Sequence, residues 1–224
     1  MSPPPPSLGR RLCALARVEA RSLRERTGAR VARALGWSLL LGHGVALGVV
    51  AAAPGGRALV DGVAAAALGS AALWLGGLTT FSVVAALGEG PAAGVAMLAA
   101  TRGERAGPTS AARFVAAAVV IGMAALRPVG PLLVASAALS PSGQSLITRL
   151  GVGALAIVLT GALGALGAAL AGAAAAIAPS RPRAALVALV ASAELAAAAW
   201  PGAPGPARAI TATTAWLARL GAGT

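Results

Sequence analysis

The sequence predicts an all-α polytopic membrane protein. The expected architecture is a membrane helix bundle of about six transmembrane helices, an N-terminal amphipathic interfacial helix and a short cytoplasmic helix. Three observations carry this reading. The 224 residues are 58% hydrophobic and only 11% charged, whereas a soluble domain keeps about a quarter of its residues charged. Mean hydropathy is +0.82, and the apolar residues fall in runs near the ~20 residues that a span needs. Proline- and glycine-rich breakers separate those runs, and the arginines collect outside them.

Residues 1–7 contain Pro3 to Pro6 and are expected to lack regular structure. Over residues 8–33, Leu8, Leu12, Leu15 and Leu23 share one face at helical spacing, and Arg10, Arg17, Arg21 and Arg24 the opposite one. Such a helix lies in the interface, with leucines in lipid and arginines toward phosphates or a partner. This opening segment, residues 1–34, is not expected to act as a secretory signal peptide, because the first apolar run begins only near Leu35.

The first span is expected at 35–53, closed by Ala53-Pro54-Gly55-Gly56, and the second at 59–87. Gly88-Glu89-Gly90-Pro91 then breaks the chain. Residues 91–100 form an apolar helix too short to cross, followed by a polar stretch from Thr101 to Pro108. The third span, 111–139, is expected to be interrupted at Arg127-Pro128 and again at Pro131. The fourth lies within 146–178 and exceeds what the bilayer requires. A fifth runs over 184–200 before Pro201-Gly202, and the sixth and weakest over 207–221, with Thr211, Thr213 and Thr214 inside it.

All 18 basic residues are arginine. With the N-terminus inside, alternate segments place fourteen arginines on the cytoplasmic side and three outside, with Arg127 within a span. That asymmetry follows the positive-inside rule and predicts both ends cytoplasmic in a cell (inner) membrane. The net charge of +12 comes with only two Phe, four Trp and no Tyr. It therefore lacks the stacking platform of a nucleic-acid binder, and nucleic acid is not an expected partner.

One cysteine, Cys13, excludes an intramolecular disulfide, and together with a single histidine it excludes a Cys/His zinc cluster. No metalloprotease, serine-hydrolase or Walker pattern occurs, so neither an enzymatic centre nor a cofactor is expected. Three ionisable residues fall at or near lipid depth: His43, Arg127 and Glu194. Charges at that depth are functional candidates by default. Arg127 and Glu194 are candidates for pairing or for lining a polar path. The alternatives are that Arg127 snorkels to the outer face, that His43 is simply packed, and that Glu194 bonds a neighbouring helix. Gly44 and Gly48 on the first span, and Gly161, Gly164, Gly167 and Gly172 on the fourth, supply small residues for close helix contacts.

This layout resembles the membrane-spanning permease subunits of type-2 ABC transporters, the exporter class. Arg17-Val18-Glu19-Ala20-Arg21 is similar to the R-x-E-x-R opening helix of that family. Glu89, Gly90, Leu98, Thr101 and Arg102 are similar to the motif of its first cytoplasmic loop, without the proline that follows its Thr or Ser. The six-span plan also looks like the haem-exporter permease of cytochrome c maturation, including Gly161 to Ala171 followed by Arg181-Pro182-Arg183. Where that family has a proline- and aromatic-rich fifth-span motif, this chain has Ala191 to Leu195.

The resemblance implies that residues 35–224 are a permease domain. A separate ATP-binding ABC subunit would engage the 90–102 helix, and the chain would act as a homodimer or a heterodimer with a second permease. The substrate would be hydrophobic or amphipathic. Two other classes fit the hydropathy: a non-transport membrane scaffold or anchor, and an ion-coupled carrier using Glu194 and Arg127. A cysteine placed at the C-terminus is expected to react with an impermeant thiol reagent only from the cytoplasmic side. Labelling from outside refutes the sixth span.

Overall fold

The computed structural model describes residues 7–88, 106–139 and 146–200, together with a few single positions beyond them. Six α-helices account for almost all of it, and no strand occurs among the described residues. They are α1 (Leu8–Glu25), α2 (Thr27–Ala52), α3 (Val60–Gly88), α4 (Ala106–Leu139), α5 (Leu146–Ile177) and α6 (Pro182–Ala199), with a 3-10 turn at Gly56–Leu59 before α3. Four segments are long and apolar enough to cross a membrane: Thr27–Ala52, Ser110–Arg127, Ile157–Ile177 and Pro182–Ala199. A shorter apolar stretch, Trp74–Leu87, lies in α3. Segment 91–100 and the turn at 140–144 lie outside the described residues. Of 207–221, Arg208, Ala209, Ala212 and Trp216 are described, each helical.

Two boundaries differ from the sequence expectation. The amphipathic segment does not run as one helix over 8–33: Arg26 is extended (φ −64°, ψ 144°), and Thr27 to Arg33 belong to the spanning helix. Local sequence favours the break, because Thr27 and Gly28 are poor helix formers beside a run of Ala, Leu and Arg. Packing then uses it. Gly28 abuts Ser82 of α3 so closely that any Cβ there would collide with its hydroxyl. Ala29 and Ala32 are buried on the same small-residue face.

The second difference is α4, which continues through Arg127-Pro128 and Pro131 as one helix of 34 residues. At 1.5 Å per residue it is about 51 Å long, well beyond the ~30 Å hydrocarbon layer. Its first turns therefore have length to spare for contacts outside the lipid. At the far end of α2, Gly55 takes φ +74° and completes the turn into α3, a conformation available at little cost to glycine.

α3 links two buried clusters. Its neighbouring residues Val83 and Val84 point into two different clusters. Val83 joins Ala20 and Leu23 of α1, Ala116, Ala117, Val120 and Ile121 of α4, and Ala168 of α5. Val84 joins Ala171 and Ala174 of α5 and Leu186 of α6. Alanine and valine dominate, so the helix backbones come close. The tightest crossing is between α4 and α5. A Cβ on Gly164 would overlap the Ala118 carbonyl oxygen and stand 3.0 Å from the Gly122 nitrogen. Gly167 is similarly pressed against Thr80 and Ile121.

Two buried hydroxyls bond within their own helices, Thr80 Oγ1 to the Gly76 carbonyl at 2.7 Å and Thr160 Oγ1 to the Ile157 carbonyl at 2.9 Å. This satisfies them without partners from water. By contrast, nothing lies within 4 Å of the Cβ direction at Gly44, Gly48, Gly161 or Gly172. On α2 the outward face instead carries Trp37, Leu41, Val45 and Val49, all exposed, as expected of a surface that meets acyl chains.

Gly164→Ala is expected to force α4 and α5 apart and cost about 1–3 kcal/mol. Gly44→Ala, on the open face, is expected to be neutral or slightly stabilising. Thermal unfolding of the two variants in detergent checks the contrast.

Candidate functional site

The face of α1 that carries Glu19, Ala20 and Leu23 is the one turned inward, because i, i+1 and i+4 lie on one side of a helix. Glu19 is only 9% exposed and Leu23 is buried. The Glu19 carboxylate accepts from Arg113 Nε of α4 at 3.1 Å, and both side chains are largely shielded. A carboxylate in such a position is costly unless a cation and a hydrogen bond meet it, and Arg113 supplies both. Arg17 and Arg21 on either side are exposed. Within the R-x-E-x-R pattern, the glutamate therefore fastens the helix and the arginines face outward. Leu8, farther up α1, is exposed, while Leu12 and Leu15 are half-buried. Only the C-terminal half of α1 is docked on the bundle.

Arginines from distant segments gather at the end of the bundle where α1 docks. Arg113, about two turns into α4, lies beside Glu19. Arg183 opens α6 and lies over the Phe81 ring at 5.4 Å, one residue from the Ser82 that meets Gly28. The three segments that the charge count assigns to one side of the membrane are thus adjacent at one end of the bundle.

Arg24, Arg33 and Arg127 form a second grouping. Arg33 Nη2 donates to the Arg24 carbonyl at 2.6 Å, which satisfies one of the carbonyls left open at the end of α1. Two adjoining shallow grooves lie here, one between α2 and α4 and one where α1, α2, α3 and α4 meet. One is lined by Arg33, Arg127, Gly36, Trp37 and Leu40 among others. The other is lined by Arg24, Arg33, Arg127, Thr79 and Met123 among others. Arg127 therefore shares its surroundings with Arg24 and Arg33. Helical side chains lean toward the helix N-terminus, which for α4 is the arginine-rich end.

The remaining polar candidates stand apart. His43 is half-buried on α2 and its Nδ1 donates to the Leu39 carbonyl at 2.7 Å, so that nitrogen carries a proton. Glu194 is half-buried on α6, and a Cβ on Gly205 would collide with its Oε2. α6 packs on α5 and α3, whereas Arg127 faces α1 and α2, so Arg127 and Glu194 are not brought together. The candidates Glu89, Gly90, Leu98, Thr101 and Arg102 lie outside the described residues. No group of three His, Cys, Asp or Glu suited to a metal occurs among the described residues.

Thr79, Arg33 and Arg113 are the positions that sequence reasoning did not single out, whereas Arg24 belongs to the arginine face expected of the amphipathic helix. A weak signal for Thr79 existed in the Thr79-Thr80 pair inside an otherwise apolar run. Arg113 carried none, since its partner lies 94 residues away.

Glu19→Gln is expected to cost about 1–3 kcal/mol by leaving Arg113 without its counter-charge. The exchanged pair Glu19→Arg with Arg113→Glu should recover most of that loss, as read by thermal unfolding in detergent. Comparison with protein-family models, curated proteins and solved structures finds no match to this chain.

Proposed function

We propose that this chain is the membrane-spanning subunit of an ABC exporter, moving a hydrophobic or amphipathic substrate with energy from a separate ATP-hydrolysing subunit. The observation that carries the reading is the attachment of α1 to α4 by the Glu19–Arg113 ion pair and by Leu23. α4 directly follows the 89–105 segment, which holds Glu89, Gly90, Leu98, Thr101 and Arg102. A force applied to that segment by a partner is delivered to the start of α4. From there the ion pair passes it to α1, and the single extended residue Arg26 passes it to α2. An N-terminal helix fastened in this way is suited to transmit movement.

In this reading the arginine-rich end faces the cytoplasm, the bundle crosses the inner membrane six times, and two such subunits enclose the substrate path. ATP hydrolysis resides in the partner. The separation of Arg127 from Glu194 weighs against a carrier that uses the two as a coupled pair. A membrane scaffold is the competing class, since it requires only the apolar outer faces of α2 and α6.

Purification of the intact chain with an ATP-hydrolysing subunit, followed by ATPase assays in liposomes, tests the proposal. The variant pair Glu89→Ala, Arg102→Ala is expected to insert normally and to lose at least about tenfold in transport-coupled ATPase stimulation, or about 1.4 kcal/mol. Undiminished stimulation in that variant, or a stable chain that never associates with an ATPase, refutes the assignment.

A further inference from the structure

We infer that the groove where α1, α2, α3 and α4 meet binds the anionic phosphate headgroup of a membrane phospholipid. Three guanidinium groups, those of Arg24, Arg33 and Arg127, line the adjoining grooves there. No carboxylate among the described residues pairs with any of them. Like charges held together repel, most strongly beside apolar walls where water screens them least, and an anion between them removes that repulsion. Arginine also presents its donors in a fork that fits phosphate oxygens two at a time.

A second observation is independent of charge. Thr79 is 1% exposed, lines the groove that Arg24, Arg33 and Arg127 share, and its Oγ1 has no hydrogen-bond partner. Its neighbours Thr80 and Ser82 both bond back to their own helix. A buried hydroxyl without a partner is costly and calls for an acceptor or donor from outside the chain. A phosphate oxygen at this position accepts from Thr79 and from the arginines together.

The form of the grooves favours a lipid over a free ion. Each offers only about 20 Å³, space for one or two oxygens and not for a whole headgroup. The rest of the ligand must therefore lie outside, along the outer face of α2. That face starts with Trp37, which is 62% exposed, and continues through Leu41 and Val45. Exposed tryptophan beside cationic side chains is the usual dressing of a membrane interface, and acyl chains extend along such a face where a small soluble anion gains nothing.

Thermal unfolding of the full chain in dodecyl maltoside tests this, with added dioleoyl-phosphatidylglycerol, dioleoyl-phosphatidylcholine or inorganic phosphate. Phosphatidylglycerol is expected to raise Tm by about 3–8 °C. The other two additives are expected to raise it by less than a third as much. Arg33→Gln with Arg127→Gln should abolish the difference between the two lipids, whereas Arg10→Gln with Arg181→Gln, an equal charge loss outside the groove, should preserve it.

Thr79→Val provides a second readout of opposite sign. Without lipid it is expected to melt above the parent chain, since the orphaned hydroxyl is gone, and with phosphatidylglycerol to gain less. Equal shifts from both lipids, or full selectivity retained in the double arginine variant, overturn the proposal. A shift from inorganic phosphate that matches phosphatidylglycerol reassigns the groove to a soluble anion and refutes the lipid. Should the arginine variant fail to fold, Thr79→Val alone decides, and an undiminished lipid increment counts against the site.

Discussion

Helices in lipid gain little by hiding apolar surface from one another, because acyl chains are as apolar as leucine. What holds them is how near their backbones come. In this chain that constraint is met at α4 and α5, where Gly122 and Gly164 leave no room for a side chain. Around this crossing the other contacts are built from alanine and valine, and α3 sends Val83 to one side and Val84 to the other. The buried hydroxyls of Thr80 and Thr160 fold back onto carbonyls of their own helices, and Thr79 is the exception. The small-residue seam sets the spacing of the bundle, and its position determines which faces are left for lipid.

Against that apolar body the ion pair between Glu19 and Arg113 is a different kind of joint. It is directional, and it is placed where α1 leaves the bundle surface. With Leu23 beside it, the joint turns half of an amphipathic helix into part of the core while leaving Leu8 outside. α1 therefore belongs to two environments, and Arg26 is the point at which the chain turns from one to the other.

The apolar lengths and the breakers were readable along the chain because they are local. Pro54-Gly55-Gly56, Pro182 and Trp200-Pro201 mark ends that the helices respect. The faces were not readable. In a helix that is apolar all round, lipid side and protein side have the same hydrophobicity, so periodicity does not reveal which glycines pack. Gly44 and Gly48 have a favoured spacing yet face outward, while Gly122, with no obvious partner in the sequence, sits at the tightest contact. The prolines of α4 misled for a related reason: neighbouring helices hold a proline-containing helix together in a membrane, so the residue type alone does not end it. The amphipathic face of residues 8–33 was legible in Leu23. The partner of Glu19 was not, because nothing local points to a residue 94 positions ahead.

That distance has a consequence for how the protein is made. Residues enter the membrane in order, at about 5–20 per second. Glu19 must therefore wait on the order of ten seconds before Arg113 has even been synthesised. Throughout that interval α1 has a half-formed docking face, with Val83 of α3 available to Leu23 but no counter-charge for Glu19. Its alternation of leucine and arginine then serves as a temporary berth as well as a final one. The ion pair that closes α1 onto α4 therefore forms only after α2 and α3 have been made.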